Sequence, residues 1–303
     1  MKQIEPLHAG DRVTLVATAR AVSREEMEPA IAALRRWGLE VNIPDGIFDR
    51  CGQLAGTDSH RAALLQAAVS DPASKAIICC RGGYGTVRIV DSVDFSPLAE
   101  RPQWVVGYSD ATVLHSHLHA TLGLPTLHAT MPINFPADGH PTPATESLRR
   151  TLMQGAQPIE WQAADADPVE LEGVEVVGGN LSILYSLLGS PSQVDTRGKA
   201  LLIEDLDEYL YHIDRMMQAL LRAGMLGGVR ALIVGGLTQM HDNSTPFGPD
   251  ARQIVRQAAA KAGCPVLLDA PIGHLGDENR ALVLGRKMNI YADGSKKCRI
   301  FAP

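Results

Sequence analysis

An α/β architecture in two units is what this sequence predicts, and three observations carry the prediction. Short β-branched strands alternate with amphipathic helices through about residue 131, the pattern of a doubly wound parallel sheet. A stretch interrupted by Pro136, Gly139, Pro141, Pro143 and Pro158 then breaks the alternation, and a second set of strands and helices follows it. At 303 residues the chain also exceeds one ordinary domain. The expected organisation is an N-terminal Rossmann-like or flavodoxin-like parallel-sheet domain over residues 1–154, a linker over 155–172 and a smaller C-terminal α+β domain over 173–303.

In the first unit, residues 13–17 (Val-Thr-Leu-Val-Ala) read as a strand, and Ser23 with Glu26 three residues on forms a capping-box pattern for a helix reaching about Trp37. Pro29 places the regular start of that helix near Glu28, because proline is best tolerated in a first turn. A second strand at 39–43 completes a β-α-β unit, which requires a parallel pair. A helix over 58–69 leads to the strand 76–80 and the turn Arg81-Gly82-Gly83-Tyr84-Gly85, followed by a short helix near 86–90. That turn lacks both Gly-x-Gly-x-x-Gly and a following Gly-Lys-Ser/Thr, so a phosphate loop is a poor reading and a plain tight turn remains an alternative. Next, residues 103–107 make a buried strand delivering Tyr108-Ser109-Asp110 into a helix that runs to Leu122.

The second unit opens with a strand at 174–177 and Gly178-Gly179-Asn180 starting a helix to Leu188. The strand 200–203 ends in Glu204-Asp205, a long helix covers about 211–223, and the strand 231–234 ends in Gly235-Gly236. After a helix at 250–262, the strand 265–268 leads to Pro271-Ile272-Gly273-His274, and residues 281–284 and 288–291 read as a closing hairpin across Gly285 and Arg286.

Composition removes several classes of function. Charged residues at 20% and hydrophobic ones at 45% match a globular chain and not a disordered one. With 28 Lys and Arg against 34 Asp and Glu, the net charge is -6 with no basic block, so no nucleic-acid partner is expected. The first ten residues are polar and broken by Pro6, which reads as no secretory signal. No apolar run approaches the ~18 residues of a membrane span. A cytoplasmic protein without a membrane partner is the expectation. The five cysteines, Cys51, Cys79, Cys80, Cys264 and Cys298, are odd in number and contain no C-x-x-C pair, which argues against a disulfide framework and against structural zinc.

Chemistry concentrates at three positions. Ser109 sits where a strand turns sharply into a helix, a geometry that exposes a hydroxyl and aims backbone N–H groups at one point. Ala111 stands where a nucleophile elbow carries its second glycine, and serine is also a common helix N-cap, so capping is the alternative. Glu204 follows an apolar strand, either as a solvated strand end or as a held carboxylate. His274 lies in a rigid Pro-x-Gly-His loop. Together they supply nucleophile, acid and base, each just after a buried strand. The helix after Ser109 carries His115, His117 and His119; His115 and His119 share a face, but no His-Glu-x-x-His pattern or third ligand accompanies them, and no metal is expected.

Read in order, Arg81-Gly82-Gly83-Tyr84-Gly85, Gly107-Tyr108-Ser109-Asp110, Gly178-Gly179-Asn180-Leu181, Glu204-Asp205 with Asp214-Arg215-Met216, and Gly273-His274 with Asn279 closely resemble the LD-carboxypeptidases, or muramoyltetrapeptide carboxypeptidases. These are serine peptidases of bacterial murein recycling. The resemblance runs from about Val13 to the end of the chain. It implies a nucleophile at Ser109, a base at His274 and an orienting acid at Glu204, on two domains of a cytoplasmic homodimer. It further implies removal of the terminal D-alanine from a murein tetrapeptide with no metal or cofactor. The sequence departs from the family pattern at Thr18-Ala19, where Pro-Ser is usual, at His212, where arginine is usual, and at Leu282-Val283-Leu284-Gly285, which lacks the usual proline.

Within that reading, backbone N–H groups of Gly83, in the Gly82-Gly83 turn, and of Asp110 are the expected oxyanion donors. Arg81 is the expected clamp for the substrate carboxylate, or else an internal partner of Asp110. Two other functions compete: an immunity hydrolase of the same family that cleaves peptide-nucleotide antibiotics, and a non-catalytic α/β binding module. The former tends to carry an aromatic residue that stacks a nucleobase, and aromatic residues are only 5% here.

Overall fold

The fold is taken from a computed structural model that describes residues 4–303. The polar opening segment therefore lies outside the described residues at positions 1–3. A first sheet is built from β1 (Arg12–Val16), β2 (Glu40–Asn42), β3 (Ser74–Cys79), β4 (Trp104–Gly107) and β5 (Thr126–His128). These lie in the order β2-β1-β3-β4-β5, all parallel. This is the flavodoxin-like winding, whose reversal between β1 and β3 opens a crevice at the carboxyl ends of the strands.

Helices cover both faces: α1 (Arg24–Arg36), α2 (Asp58–Ser70), α3 (Ser96–Glu100), α4 (Thr112–Leu122) and α5 (Pro143–Gln154). Alternation along each strand decides which helix packs where. Ala76 and Ile78 face Met27, Ile31 and Leu34 of α1 with Leu148 and Leu152 of α5. Ile77 and Cys79 face Leu65 and Val69 of α2 with Val113, Leu114 and Leu118 of α4. Contrary to the sequence expectation, α1 begins at Arg24 and holds Pro29 inside it. The capping box forms in full, Ser23 Oγ accepting from Glu26 N–H at 3.2 Å and Glu26 Oε2 from Ser23 N–H at 2.7 Å. That cap and the buried face of α1 outweigh the one helical hydrogen bond that Pro29 cannot make.

The second half contributes β6 (Ile159–Gln162), β7 (Val169–Asn180), β8 (Ala200–Leu206), β9 (Ala231–Thr238), β10 (Val266–Leu267), β11 (Leu282–Leu284), β12 (Arg286–Ala292) and β13 (Lys297–Phe301). Seven of them form a sheet in the order β10-β9-β8-β7-β12-β13-β6. Its core residues, among them Leu201, Ile203, Leu232 and Val234, pack on α7 (Leu210–Arg222) and α8 (Ala251–Ala262) through Met216, Met217, Leu220, Ile254 and Val255. A short α6 (Leu181–Ser186) follows β7.

Three sequence expectations need correction. The stretch 155–172 is not a bare linker: β6 lies in it, pairing with β13, and β7 begins in it at Val169. Gly178-Gly179-Asn180 leads into a helix as expected, Asn180 capping α6 through its side chain, but the three residues also end β7 and the helix stops at Ser186, short of Leu188. The closing hairpin does not form. β11 pairs instead with β5 of the first sheet, antiparallel, with Leu282 opposite His128. All three residues of β11 are buried, and an apolar strand of this kind covers an edge that β5 would otherwise leave unpaired.

A single buried cation ties together the loops that frame the crevice. Arg61 of α2 donates to the Thr18 carbonyl after β1, to the Gly85 carbonyl at 2.9 Å and to Asp58, while Asp58 also receives Arg88 at 2.6 Å. No part of the Arg61 side chain reaches solvent. Arg61→Met would keep much of the stem volume while leaving two carbonyls without a donor. Chemical denaturation should show a loss of about 3 kcal/mol of stability, whereas the more exposed Arg88→Met should lose under about 1 kcal/mol.

Candidate active site

Ser109 occupies the turn between β4 and α4 with φ 60, a left-handed conformation for a non-glycine residue. Such strain persists only where the surroundings over-determine it, and it gathers at functional turns. Here the surroundings are close: a Cβ added to Gly82 would sit 3.0 Å from Ser109 Oγ and Cβ. A side chain at 82 would push the loop after β3 and the serine apart by a few tenths of an ångström. The capping alternative fails, because α4 is entered through Ala111 and neither that position nor the turn before it has a side-chain cap. Ser109 is free of the structural duty that would explain it otherwise.

Glu204 is not a solvated strand end. It lies inside β8 with no exposed surface, and its Oε2 accepts from His274 Nδ1 at 2.6 Å and from the His274 backbone N–H at 3.2 Å. Gly273 makes that approach possible, since a Cβ there would stand 2.5 Å from Glu204 Oε2. Asn279 Oδ1 accepts from Gly273 N–H at 2.8 Å and fixes the loop from behind. With Nδ1–H committed to the carboxylate, Nε2 is the imidazole nitrogen left for proton transfer. The ring also packs on Tyr108, the residue before Ser109, with centroids 4.8 Å apart. Among the described residues no hydrogen bond joins Ser109 Oγ to the imidazole; such bonds commonly tighten only with substrate bound.

Electrostatics follow from burial and pairing. Burial alone would raise the Glu204 carboxyl, but the hydrogen bonds from His274 and the charges of His274 and His128 outweigh it and hold it below the ordinary carboxylate range. Burial works to lower His274, yet the bond to Glu204 and the charges of Glu204 and Asp205 carry it above the ordinary 6.5. Asp205 is pushed up to about 7, by burial first and then by the charge of Glu204. It receives Asn180 Nδ2 and the Ser182 N–H, both at 2.9 Å.

The remaining predicted positions are placed as follows. Asp110 is buried with Oδ2 accepting from the Thr86 N–H at 2.9 Å, which fastens the loop after β3 to the turn after β4. The N–H groups of Gly82, Gly83 and Asp110 donate to no acceptor within the described residues. Arg81 does not pair with Asp110; its guanidinium stands 3.5 Å from Glu26 at the amino end of α1 and remains partly exposed. Arg20, which sequence reasoning did not single out, lies along Gly83 and is exposed. The three histidines of α4 go to separate partners: His115 Nε2 to the Gly107 carbonyl at 2.9 Å, His117 to Ser192 at 2.9 Å and His119 to Glu175 at 2.6 Å. Among the described residues no group of three or more His, Cys, Asp or Glu side chains is arranged to hold a metal ion.

Ser109 is thus carried by the first sheet and Glu204, hydrogen-bonded to His274, by the second, and comparison with known proteins matches the same two parts. Residues 13–129 match the model of the LD-carboxypeptidase N-terminal domain and residues 173–290 that of the LD-carboxypeptidase C-terminal domain. The chain is 34% identical over 272 residues to a Bacillus subtilis (strain 168) protein named "Probable murein peptide carboxypeptidase", covering 88% of this chain and 85% of that one. It is 28% identical over 285 residues to a murein tetrapeptide carboxypeptidase of Pseudomonas aeruginosa, covering 91% of each. Among solved structures, a muramoyltetrapeptide carboxypeptidase from Oxalobacter formigenes superposes with a TM-score of 0.87 at 26% identity, over 96% of this chain and 99% of that one. The chain belongs to the LD-carboxypeptidase family.

Proposed function

We propose that the protein removes the terminal D-alanine from murein tetrapeptides, as a serine carboxypeptidase with Ser109 as nucleophile, His274 as general base and Glu204 as the orienting acid. The observation that carries this reading is the 2.6 Å contact of buried Glu204 with His274 Nδ1, beside a serine held in a left-handed turn. His274 Nε2 takes the Ser109 proton as Oγ attacks the scissile carbonyl, and the Nδ1–H bond to Glu204 stabilises the imidazolium that forms. The N–H groups of the Gly82-Gly83 turn and of Asp110 receive the developing oxyanion, one such donor being worth on the order of 3 kcal/mol. The imidazolium then protonates the departing amine, and water repeats the sequence on the acyl-enzyme.

A carboxypeptidase also needs a cation one residue beyond the nucleophile. Arg81 and Arg20 both line the glycine turn, and a guanidinium holds a carboxylate in a two-pronged geometry that lysine cannot copy. On the same reading the enzyme works in the cytoplasm as a homodimer without metal or cofactor. Five free cysteines fit a reducing compartment, and among the described residues no helix is long and apolar enough to cross a membrane.

The direct test is incubation with LD-tetrapeptides, free and muramyl-linked, following D-alanine by mass spectrometry. Release is expected from both. Cleavage of a peptide-nucleotide amide with no D-alanine release would move the reading to the immunity hydrolases. In purified Ser109→Ala, turnover should fall by at least about 10⁴-fold while substrate still binds, since the attacking atom is gone and little strain is added. Normal kcat in that variant would remove the mechanism.

Dependence on pH has a definite sign. His274 must be neutral to act, and its pKa lies above the ordinary 6.5, so kcat/KM should rise with pH through an inflection above that value. In Glu204→Gln the charge that favours the imidazolium is lost, so the inflection should move down while kcat also falls. Asp205→Asn is the control for the second group that titrates near this range, and it should move the inflection down by a smaller amount. An inflection unchanged in Glu204→Gln would separate Glu204 from the base.

Carboxylate recognition is tested by comparing a tetrapeptide with its C-terminal amide. Wild type should cut the acid far faster. Arg81→Lys and Arg20→Lys, assayed on both substrates, identify the clamp as the position whose change lowers the preference for the acid. Equal rates on acid and amide in wild type would exclude a carboxylate clamp.

A further inference from the structure

Glu204 has two oxygens, and the triad uses one. Oε2 serves His274, whereas Oε1 is fully buried and has no hydrogen-bond partner among the described residues. A carboxylate oxygen left so is strongly disfavoured. The group nearest in charge and reach is His128 at the carboxyl end of β5, whose Nε2 stands 3.8 Å from Oε1. His128 is itself completely buried, and neither of its ring nitrogens has a hydrogen-bond partner within the described residues.

Two orphaned polar groups that face each other in a dry interior are each other's natural partner. Among the described residues no charged group other than Glu204 pairs with the imidazole. Its ring meets Tyr108 edge-on at 6.0 Å and His115 at 6.2 Å, while His115 has already committed Nε2 to the Gly107 carbonyl. In the sheet, His128 is flanked by Gly107 on β4 and Leu282 on β11, neither of which carries a polar side chain.

We propose that His128 is a positioning residue for the reaction, donating its Nε2–H to Glu204 Oε1 so that the carboxylate stays ionised with Oε2 aimed at His274. At 3.8 Å the contact is an ionic approach and not yet a formed hydrogen bond. It closes by a shift of under about 1 Å of either side chain, a scale on which domains settle when substrate binds. The acid then lies between two imidazoles, one from each half of the chain. His274 exchanges protons with the substrate, and His128 touches neither substrate nor reacting atoms.

This inference rests on the proposed triad, and the test separates the two. With ¹⁵N-labelled histidine, ring spectra of the wild-type protein should show His128 protonated at Nε2, with a slowly exchanging Nε2–H proton far downfield. In Glu204→Gln that proton should move upfield, while the His115 Nε2–H stays in place. In kinetics, His128→Phe keeps ring size against Tyr108 but deletes the donor. It should lower kcat at least tenfold with KM within about twofold, and His128→Gln, which retains an N–H, should recover part of the loss. A wild-type ring unprotonated at Nε2, or a folded His128→Phe enzyme with undiminished kcat, would overturn the proposal. If His128→Phe does not fold, the ring spectra of wild type and Glu204→Gln decide alone. If wild type releases no D-alanine, the functional reading fails, and the spectra still decide whether His128 holds Glu204.

Discussion

A carboxylate with no solvent exposure can remain charged only if its surroundings replace the water it has lost, and Glu204 sets this requirement for the whole centre of the molecule. The Nδ1–H and the backbone N–H of His274 replace part of that water. Delivering both from one residue requires the chain to pass within van der Waals distance of the carboxylate, which is why residue 273 has no side chain. Asn279 then holds the returning loop, and three residues later the chain becomes β11 and is stitched into the opposite sheet. The path of residues 271–284 follows from the needs of one buried charge.

The same path joins the two halves. Ser109 and Glu204, the latter paired with His274, sit on different sheets, so their mutual geometry depends on the interface. Several contacts fix it: β11 against β5, the Asn180 N–H on Thr112 Oγ1 at 3.0 Å one helical turn beyond Ser109, and His119 of α4 on Glu175 of β7 at 2.6 Å. These hydrogen bonds are directional and rigid. Preorganised donors gain their effect from being in place before charge develops. A flexible hinge between the halves would forfeit it.

How far this was legible in the sequence depended on whether the signal was local. Ser109 announces itself through a buried strand, an abrupt turn and a helix within a dozen residues, and the flavodoxin-like winding follows from the same alternation. Capping was equally local, and the Ser23–Glu26 box formed as written. Pairing across long separations was not legible. Residues 281–284 and 288–291 flank a Gly-Arg turn and look like a hairpin, yet an apolar three-residue strand gains more by covering the edge of β5 than by folding back. Arg81 found Glu26 in place of Asp110, because Asp110 turns inward to the Thr86 N–H. His128 ends a short apolar strand and carries no motif, and only the fold reveals that it faces Glu204.

The difference between Glu204 and its neighbour Asp205 shows how the backbone selects which carboxylate meets His274. Successive residues of a strand point to opposite faces, so two adjacent carboxylates cannot both serve His274. Asp205 faces α6, where Asn180 and Ser182 hold it, and burial raises it towards neutrality at about 7. Pairing of β8 with β9 slips between Ile203 and Asp205, where Gly235 and Gly236 of β9 stand opposite Glu204 alone, so the bulged strand is β9. Bulges re-aim one side chain and end regular pairing, and they recur beside active sites for that reason. Here the bulged strand offers Glu204 a glycine, and a Cβ at Gly235 would stand 3.1 Å from the Glu204 Cβ. The charges of His274 and His128 on either side keep Glu204 ionised, and a neutral glutamic acid there could not stabilise an imidazolium at His274.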